Sequence, residues 1–176
     1  MNPLLAPLEG GLVVSCQAYP GEPMLDPRTM TQVAQAAVAE AGAQIVALDG
    51  TRRERPDGLT LAETVAGLRA EHPDVLVMAD CGSADDARAA QDAGCDILGT
   101  TLAGYTGERP KTAGPDWEFV DEVLALAQLP VFVEGRVHSP SDAAEAVRRG
   151  AWSVVVGTAI THPTTITRWF ADAVAS

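Results

Sequence analysis

The sequence predicts an α/β fold of the (β/α)8 barrel type, with six strand–helix units in evidence, and three observations carry that prediction. Six short apolar runs recur along the 176 residues: LVVSCQ (12–17), QIVALDG (44–50), VLVMADC (75–81), DILGTT (96–101), VFVEGR (131–136) and SVVVGTA (153–159). None alternates apolar with polar residues, and continuous apolar runs bounded by turn residues fit strands covered on both faces, as in a parallel sheet. Alanine-rich helical patterns separate most of the runs, which implies right-handed βαβ connections. Polar residues stand at the C-terminal end of nearly every run: Gln17, Asp49, Asp80, Thr100 with Thr101, Glu134 with Arg136, and Thr158. A barrel gathers those ends at one mouth, whereas an open doubly wound sheet spreads them along an edge.

The helices are marked by their ends. DPRTMTQVAQAAVAEAG opens with Asp26 as N-cap and Pro27 behind it and closes at Gly42. SADDARAAQDAG opens at Ser83 with acids in its first turn and closes at Gly94. SPSDAAEAVRRG opens at Ser139 with Pro140 at the first helical position and closes at Gly150. Cap side chains, early acids and a terminal glycine each satisfy or complement the groups a helix end leaves open. TLAETVAGLRAEH, DWEFVDEVLALAQ and PTTITRWFADAVA supply three more helices. No strand runs into a G-x-G-x-x-G loop, so a Rossmann dinucleotide site has no support.

Length is at odds with a full barrel. Residues 1–176 form a single domain, yet barrels need roughly 200 residues or more. The junctions AGAQIVALDG, AGCDILGTT and RGAWSVVVGT resemble one another, so losing two units between like junctions would leave a smooth sequence. The join is expected in AEAGAQIVALDG, with about 55 residues absent on the ≈ 30-residue scale of a βαβ motif.

The net charge is −12, from 24 acidic and 12 basic residues. Such a chain is a poor binder of nucleic acid or anionic membrane by bulk charge, so a phosphate needs a local site. No apolar stretch is long enough to span a membrane, and MNPLLAPLEGG lacks the features of a signal peptide. The odd set Cys16, Cys81 and Cys95 has neither disulfide nor metal spacing. A reducing, cytoplasmic setting follows, with Cys95 a buried thiol.

The chemistry should lie at the strand ends. Asp49, Asp80 and Glu134 each end a strand; acids sharing a pocket raise one another's pKa and serve as general acid or base. Singly, each reads equally as a cap or loop ion pair. Glu134 is the first choice, with Arg136 two residues on and on the same side of the pleat. Gly135 and Gly157 let the backbone approach an anion and Thr158 adds a hydroxyl, as in barrels that hold phosphate after their last two strands; ordinary turn glycines are the alternative. GTTLAGYTG, with Thr101 and Tyr105, reads as either a substrate-covering loop or a solvated turn. TRRERPDG reads as a solvated charged face. His138 and His162 are loop residues without an orienting partner in sequence. Trp117, Trp152 and Trp169 are expected to pack helices onto the barrel.

The segments GGLVVSCQAYPGEP, IVALDGTRRERPDG, VMADCGSADDA, DILGTTLAGYTG, VFVEGRVHSP and GAWSVVVGTAIT resemble, in the same order, the motifs of the N-acetylmannosamine-6-phosphate 2-epimerase family. The resemblance covers nearly the whole chain. It implies a ribulose-phosphate-binding type of barrel, interconversion of N-acetylmannosamine 6-phosphate and N-acetylglucosamine 6-phosphate in sialic acid catabolism, and no cofactor or metal. It assigns Gln17 to substrate contact and puts Arg136 where the family holds the phosphate, while Asp49, Thr101 and Tyr105 are read as substrate-binding, with Arg136, from their places at the strand ends. It assigns Asp80 and Glu134 to catalysis and Gly135, Gly157 and Thr158 to phosphate binding, with His162 where a basic residue often follows AIT. The chain departs from the family in lacking a second strand with an arginine and a third with a catalytic lysine. Its only lysine is Lys111, in GERPKTAGPD. The expectation is therefore an epimerase of greatly reduced activity, with a non-catalytic phosphosugar-binding remnant as the alternative. Unpaired sheet edges favour a homodimer.

Overall fold

The computed structural model describes residues 3–14, 43–55 and 57–175. Six strands form one sheet: β1 (Gly11–Val14), β2 (Ile45–Asp49), β3 (Leu76–Asp80), β4 (Ile97–Gly99), β5 (Val131–Glu134) and β6 (Ser153–Val156). All five pairings are parallel. The order is β1-β6-β5-β4-β3-β2. From β2 to β6 each strand lies beside its successor, and the last strand returns to pair with the first, Gly11 opposite Ser153 and Val14 opposite Val156. That closing pair is the barrel's own. The one pair of consecutive strands that does not meet is β1 and β2, so among the described residues the wall is open there.

Among the described residues the α-helices are α1 (Leu61–Glu71), α2 (Ala84–Asp92), α3 (Trp117–Leu126), α4 (Pro140–Arg149), the short α5 (Thr158–Thr161) and α6 (Pro163–Ala175). Of the caps read from sequence, Ser83 accepts from Asp86 N and Ser139 forms a capping box with Asp142 on α4; Thr60 and Glu63, not read as a cap, form another on α1. Asp116 caps α3, and Gly150 takes the left-handed conformation at φ +107 that ends α4. The predicted helix over 26–42 and the outer part of the first strand, including Cys16 and Gln17, lie outside the described residues. Three strands in particular end earlier than expected: β4 at Gly99, β5 at Glu134 and β6 at Val156, where α5 begins at Thr158 instead of the strand running to 159.

Both faces of the sheet are covered, which is why its strands do not alternate. Leu76 and Met78 of β3, Ile97 of β4, Phe132 of β5 and Val155 of β6 point inward with Leu5, and Val13, Ile45 and Trp152 pack against them. Trp152 thus fills the barrel's inside, its indole N–H donating to Leu5 O at 3.2 Å. Outward, Val77, Ala79 and Leu98 meet Val65, Ala87, Ala90, Phe119 and Val123 of the helices. Val133, Val154 and Val156 meet Val120 and Ala146. Cys81 and Cys95 are buried free thiols. No helix among the described residues is long and apolar enough to cross a membrane.

Candidate active site

Strand alternation carries Asp80 inward beyond Met78, and Glu134 inward beyond Phe132. The two acids meet at Thr101, just past β4. Its hydroxyl lies 2.7 Å from Asp80 Oδ1 and 3.2 Å from Glu134 Oε2. A threonine hydroxyl carries one proton. It donates to one carboxylate at a time, so both contacts are satisfied when the other acid keeps its proton and donates to the threonine oxygen. The electrostatics agree. Burial pushes the Asp80 carboxyl up to about 6, against the Thr101 donor and with help from Asp49. Burial and then the charge of Asp80 push Glu134 up to about 7. Both carboxyls are thus displaced toward neutral pH.

Three neighbours fix this group. The Thr100 hydroxyl, buried between β4 and β5, donates to Glu134 O at 2.8 Å and accepts from Glu134 N at 3.0 Å, which clamps the backbone of the acid. Gly99 leaves the space the carboxylate occupies: a Cβ there would stand 2.9 Å from Asp80 Oδ1, 3.0 Å from Met78 Cε and 3.2 Å from Thr101 Oγ1. Gly135, at φ +101, turns the chain out of β5 with Thr101 O only 3.2 Å from where its Cβ would be. Gly99 was missed from sequence, although a glycine inside an apolar strand is itself a sign of close approach.

The remaining predicted residues divide. Asp49 ends β2 on the inward side, but it is exposed and engaged locally, accepting from Thr51 N at 2.9 Å, Thr51 Oγ1 at 2.6 Å and Arg53 Nη2 at 2.7 Å. Its burial raises the pKa, yet these donors outweigh it and hold the carboxyl below its ordinary value. It does not join the hydroxyl-bridged pair. Tyr105 is half exposed in the β4–α3 loop, with Lys111 Nζ 4.7 Å and Arg136 Cζ 5.3 Å from its ring. That loop is partly exposed but tied down by contacts: Leu102 N donates to Cys81 O at 3.1 Å, and Arg52 reaches across to Glu108 at 2.7 Å. Arg52 also bonds buried Asp86, so the charged run after β2 is partly a tether between loops.

Arg136 lies where the alternation argument did not put it. The strand ends at Glu134, Arg136 itself has φ +57, and the pleat does not continue to its side chain. The guanidinium turns onto the β4–α3 loop. Gly157 precedes α5, and Thr158 is the helix's first residue. Because β5 and β6 are neighbours, the Gly135 and Gly157 turns lie side by side. His162 follows α5 with Nδ1 2.7 Å from Thr165 Oγ1. His138 stacks on Trp169, ring centroids 4.6 Å apart. Trp117 lies under Arg149 at 4.9 Å.

Comparison with known proteins bears on the family and the fold. The sequence model of the family described as "Putative N-acetylmannosamine-6-phosphate epimerase" matches residues 14–176. A relative named as a 2-epimerase of that kind in Cutibacterium acnes is 47% identical over 221 aligned positions, covering 97% of this chain and 96% of its own. One in Caldanaerobacter subterraneus is 34% identical over 218 positions, covering 95% and 92%. An alignment of 221 positions drawn on 97% of 176 residues leaves about 50 positions of the relative without a counterpart. The solved N-acetylmannosamine-6-phosphate 2-epimerase from Clostridium perfringens superposes with a TM-score of 0.80 at 28% identity, over 97% of this chain and 96% of that one. A thiamine phosphate pyrophosphorylase from Pyrococcus furiosus shares the fold alone, at 17% identity and a TM-score of 0.54 over 88% and 77%. The chain belongs to the N-acetylmannosamine-6-phosphate epimerase family.

Proposed function

We propose that the chain binds N-acetylmannosamine 6-phosphate and N-acetylglucosamine 6-phosphate and interconverts them at C2. The observation that carries this is the pair Asp80 and Glu134 bridged by the Thr101 hydroxyl. Inversion at C2 removes the proton α to the open-chain C1 aldehyde and returns one to the opposite face. One acid must be ionised and the other protonated, and a pair holding a single proton meets both needs. Asp80, the lower-titrating acid of the pair, takes the C2 proton, charge moves to the C1 oxygen as an enolate, and Glu134 delivers its proton to the other face. The Thr101 hydroxyl then relays a proton between the acids and resets them. The phosphate would rest against Gly135, Gly157 and Thr158, and Thr101, Tyr105 and Gln17 would contact the sugar. No cofactor is needed.

The opening between β1 and β2 favours a second reading, in which the chain binds the phosphosugars and turns them over poorly. Among the described residues β1 and β2 do not pair, the join is read from sequence between them, and about 50 positions of the relative have no counterpart. The family's lysine would fall in that gap, leaving both proton transfers to the acid pair. Exchange at C2, followed by NMR in deuterated water beside the Clostridium perfringens enzyme, decides between them. A rate well below that of the full-length relative is expected. Calorimetric titration with the two sugars tests binding, and no heat with either would overturn both readings. A cytoplasmic location fits the buried free thiols. Self-association into a homodimer fits the open edges and the exposure of Phe170 and Val174 on α6; sedimentation tests it.

A further inference from the structure

Arg136 stands two residues beyond Glu134 with φ +57, a conformation a long side chain adopts only at a cost. The turn it makes with Gly135 swings the guanidinium sideways onto the β4–α3 loop. There Nε donates to Gly114 O at 2.9 Å, Nη1 to Ala103 O at 2.8 Å and Nη2 to Thr112 Oγ1 at 3.0 Å. The flat group also lies over the Tyr105 ring. Ala103 leaves β4 and Gly114 approaches α3, so one rigid fork joins the two limbs of a single loop. Arg52, Arg109 and Arg149 each pair with acids; the hydrogen bonds of Arg136 go to loop carbonyls and a hydroxyl instead. The limb it grips begins with Thr100 and Thr101, which bond the backbone and the carboxyl of Glu134.

We infer that Arg136 is a positioning residue: it closes the β4–α3 loop on itself and so holds Thr101 against Asp80 and Glu134, with water kept out. It acts through Thr101 and does not grip the substrate phosphate. Lysine cannot replace it, since one ammonium group cannot span acceptors on two limbs as a planar fork does.

The kinetic arm of the test rests on the proposed reaction; the titration arm does not. Arg136→Ala, Arg136→Lys and the milder Thr112→Val, which removes one of the three acceptors, are compared with the unaltered chain. Glutamate-labelled protein, with the Glu134 signal assigned through Glu134→Gln, gives its carboxyl midpoint by NMR. Asp80 is the charged neighbour of Glu134, and Lys111 stands with Arg136 on Tyr105. Loosening the loop should admit water and lower the Glu134 midpoint by about one pH unit in Arg136→Ala, equally in Arg136→Lys, and by less in Thr112→Val. C2 exchange should fall at least tenfold in kcat, with KM within about twofold. An Arg136→Ala chain that keeps its fold, its Glu134 midpoint and its kcat overturns the inference. So does a tenfold rise in KM or Kd for the 6-phosphate sugars with kcat retained, which would make Arg136 a ligand. If the unaltered chain shows no exchange, the proposed reaction fails, and the midpoints of the three variants still decide the role of Arg136.

Discussion

The carboxyl groups of Asp80 and Glu134, from strands separated by β4, share one hydrogen-bond partner, the hydroxyl of Thr101. Replacing Thr101 by valine keeps the shape and removes the bridge. The hydroxyl stabilises the charged form of Glu134, so its loss should raise that carboxyl above about 7. The expected result is C2 exchange reduced at least about tenfold, within the range for acid–base assistance, and a rate limb moved to higher pH. Exchange rates measured from pH 5 to 9 test both.

The same pair sets the pH dependence of the unaltered chain. Turnover needs one proton on two acids whose values are about 6 for Asp80 and about 7 for Glu134. Below the lower value both are protonated and no base remains; above the upper both are ionised and no acid remains. Exchange should follow a narrow bell with its maximum between them, the limbs belonging to the pair and not to either residue. A plateau extending to pH 9 would show that an acid pair is not the machinery.

Glu134→Gln separates chemistry from stability. At pH near 4 both the folded and unfolded chains keep Glu134 protonated, and its burial costs little. As pH rises the unfolded carboxyl ionises while the folded one resists to about 7, so the penalty on folding grows and levels off above that value. At 1.36 kcal/mol per unit this is at most about 3 kcal/mol, and less because Glu134 is not fully buried. Glutamine carries no such penalty. The variant should lose exchange yet melt a few degrees higher at pH 8, with no gain at pH 4. Calorimetric melts at the two pH values read the difference.

Gly99→Ala should damage the site from inside the wall. Its Cβ would stand 2.9 Å from Asp80 Oδ1 and 3.0 Å from Met78 Cε. Met78 can bend away, but Asp80 is held by Thr101, so the carboxylate is the group displaced. Overpacking of this kind costs about 1–3 kcal/mol. Exchange should fall further than stability does, and retention of exchange with a lower melting point would mean that Met78 alone gives way.

The sequence carried the frame of this protein because its signals are local. Ser83, Ser139 and Thr60 cap helices with neighbours three residues away, and Val77, Leu98 and Val133 are apolar because helices cover them. Asp80 and Glu134 were legible for the same reason, as acids ending buried strands. What failed was direction. Asp49 looks like its two counterparts, but Thr51 and Arg53 follow it closely enough to take its oxygens. Arg136 obeys strand alternation only if the strand continues, and the positive φ of Gly135 ends it. The part played by Gly99 depends on a residue of the neighbouring strand, which no spacing along the chain reveals.

The open wall leads to the last prediction. Among the described residues each strand from β2 to β5 has its successor beside it, β6 closes on β1, and β1 and β2 alone fail to meet. The Cutibacterium acnes relative has about 50 positions with no counterpart here, close to the two βα units read as absent. Grafting that segment between β1 and β2 should supply partners for both edges and cover Leu12, now 55% exposed. Paired edges and a closed mouth should raise the melting temperature and increase C2 exchange by at least tenfold. A graft that folds with no gain in exchange would mean that the acid pair already works at its full rate in the open wall, and that the missing strands contribute to stability alone.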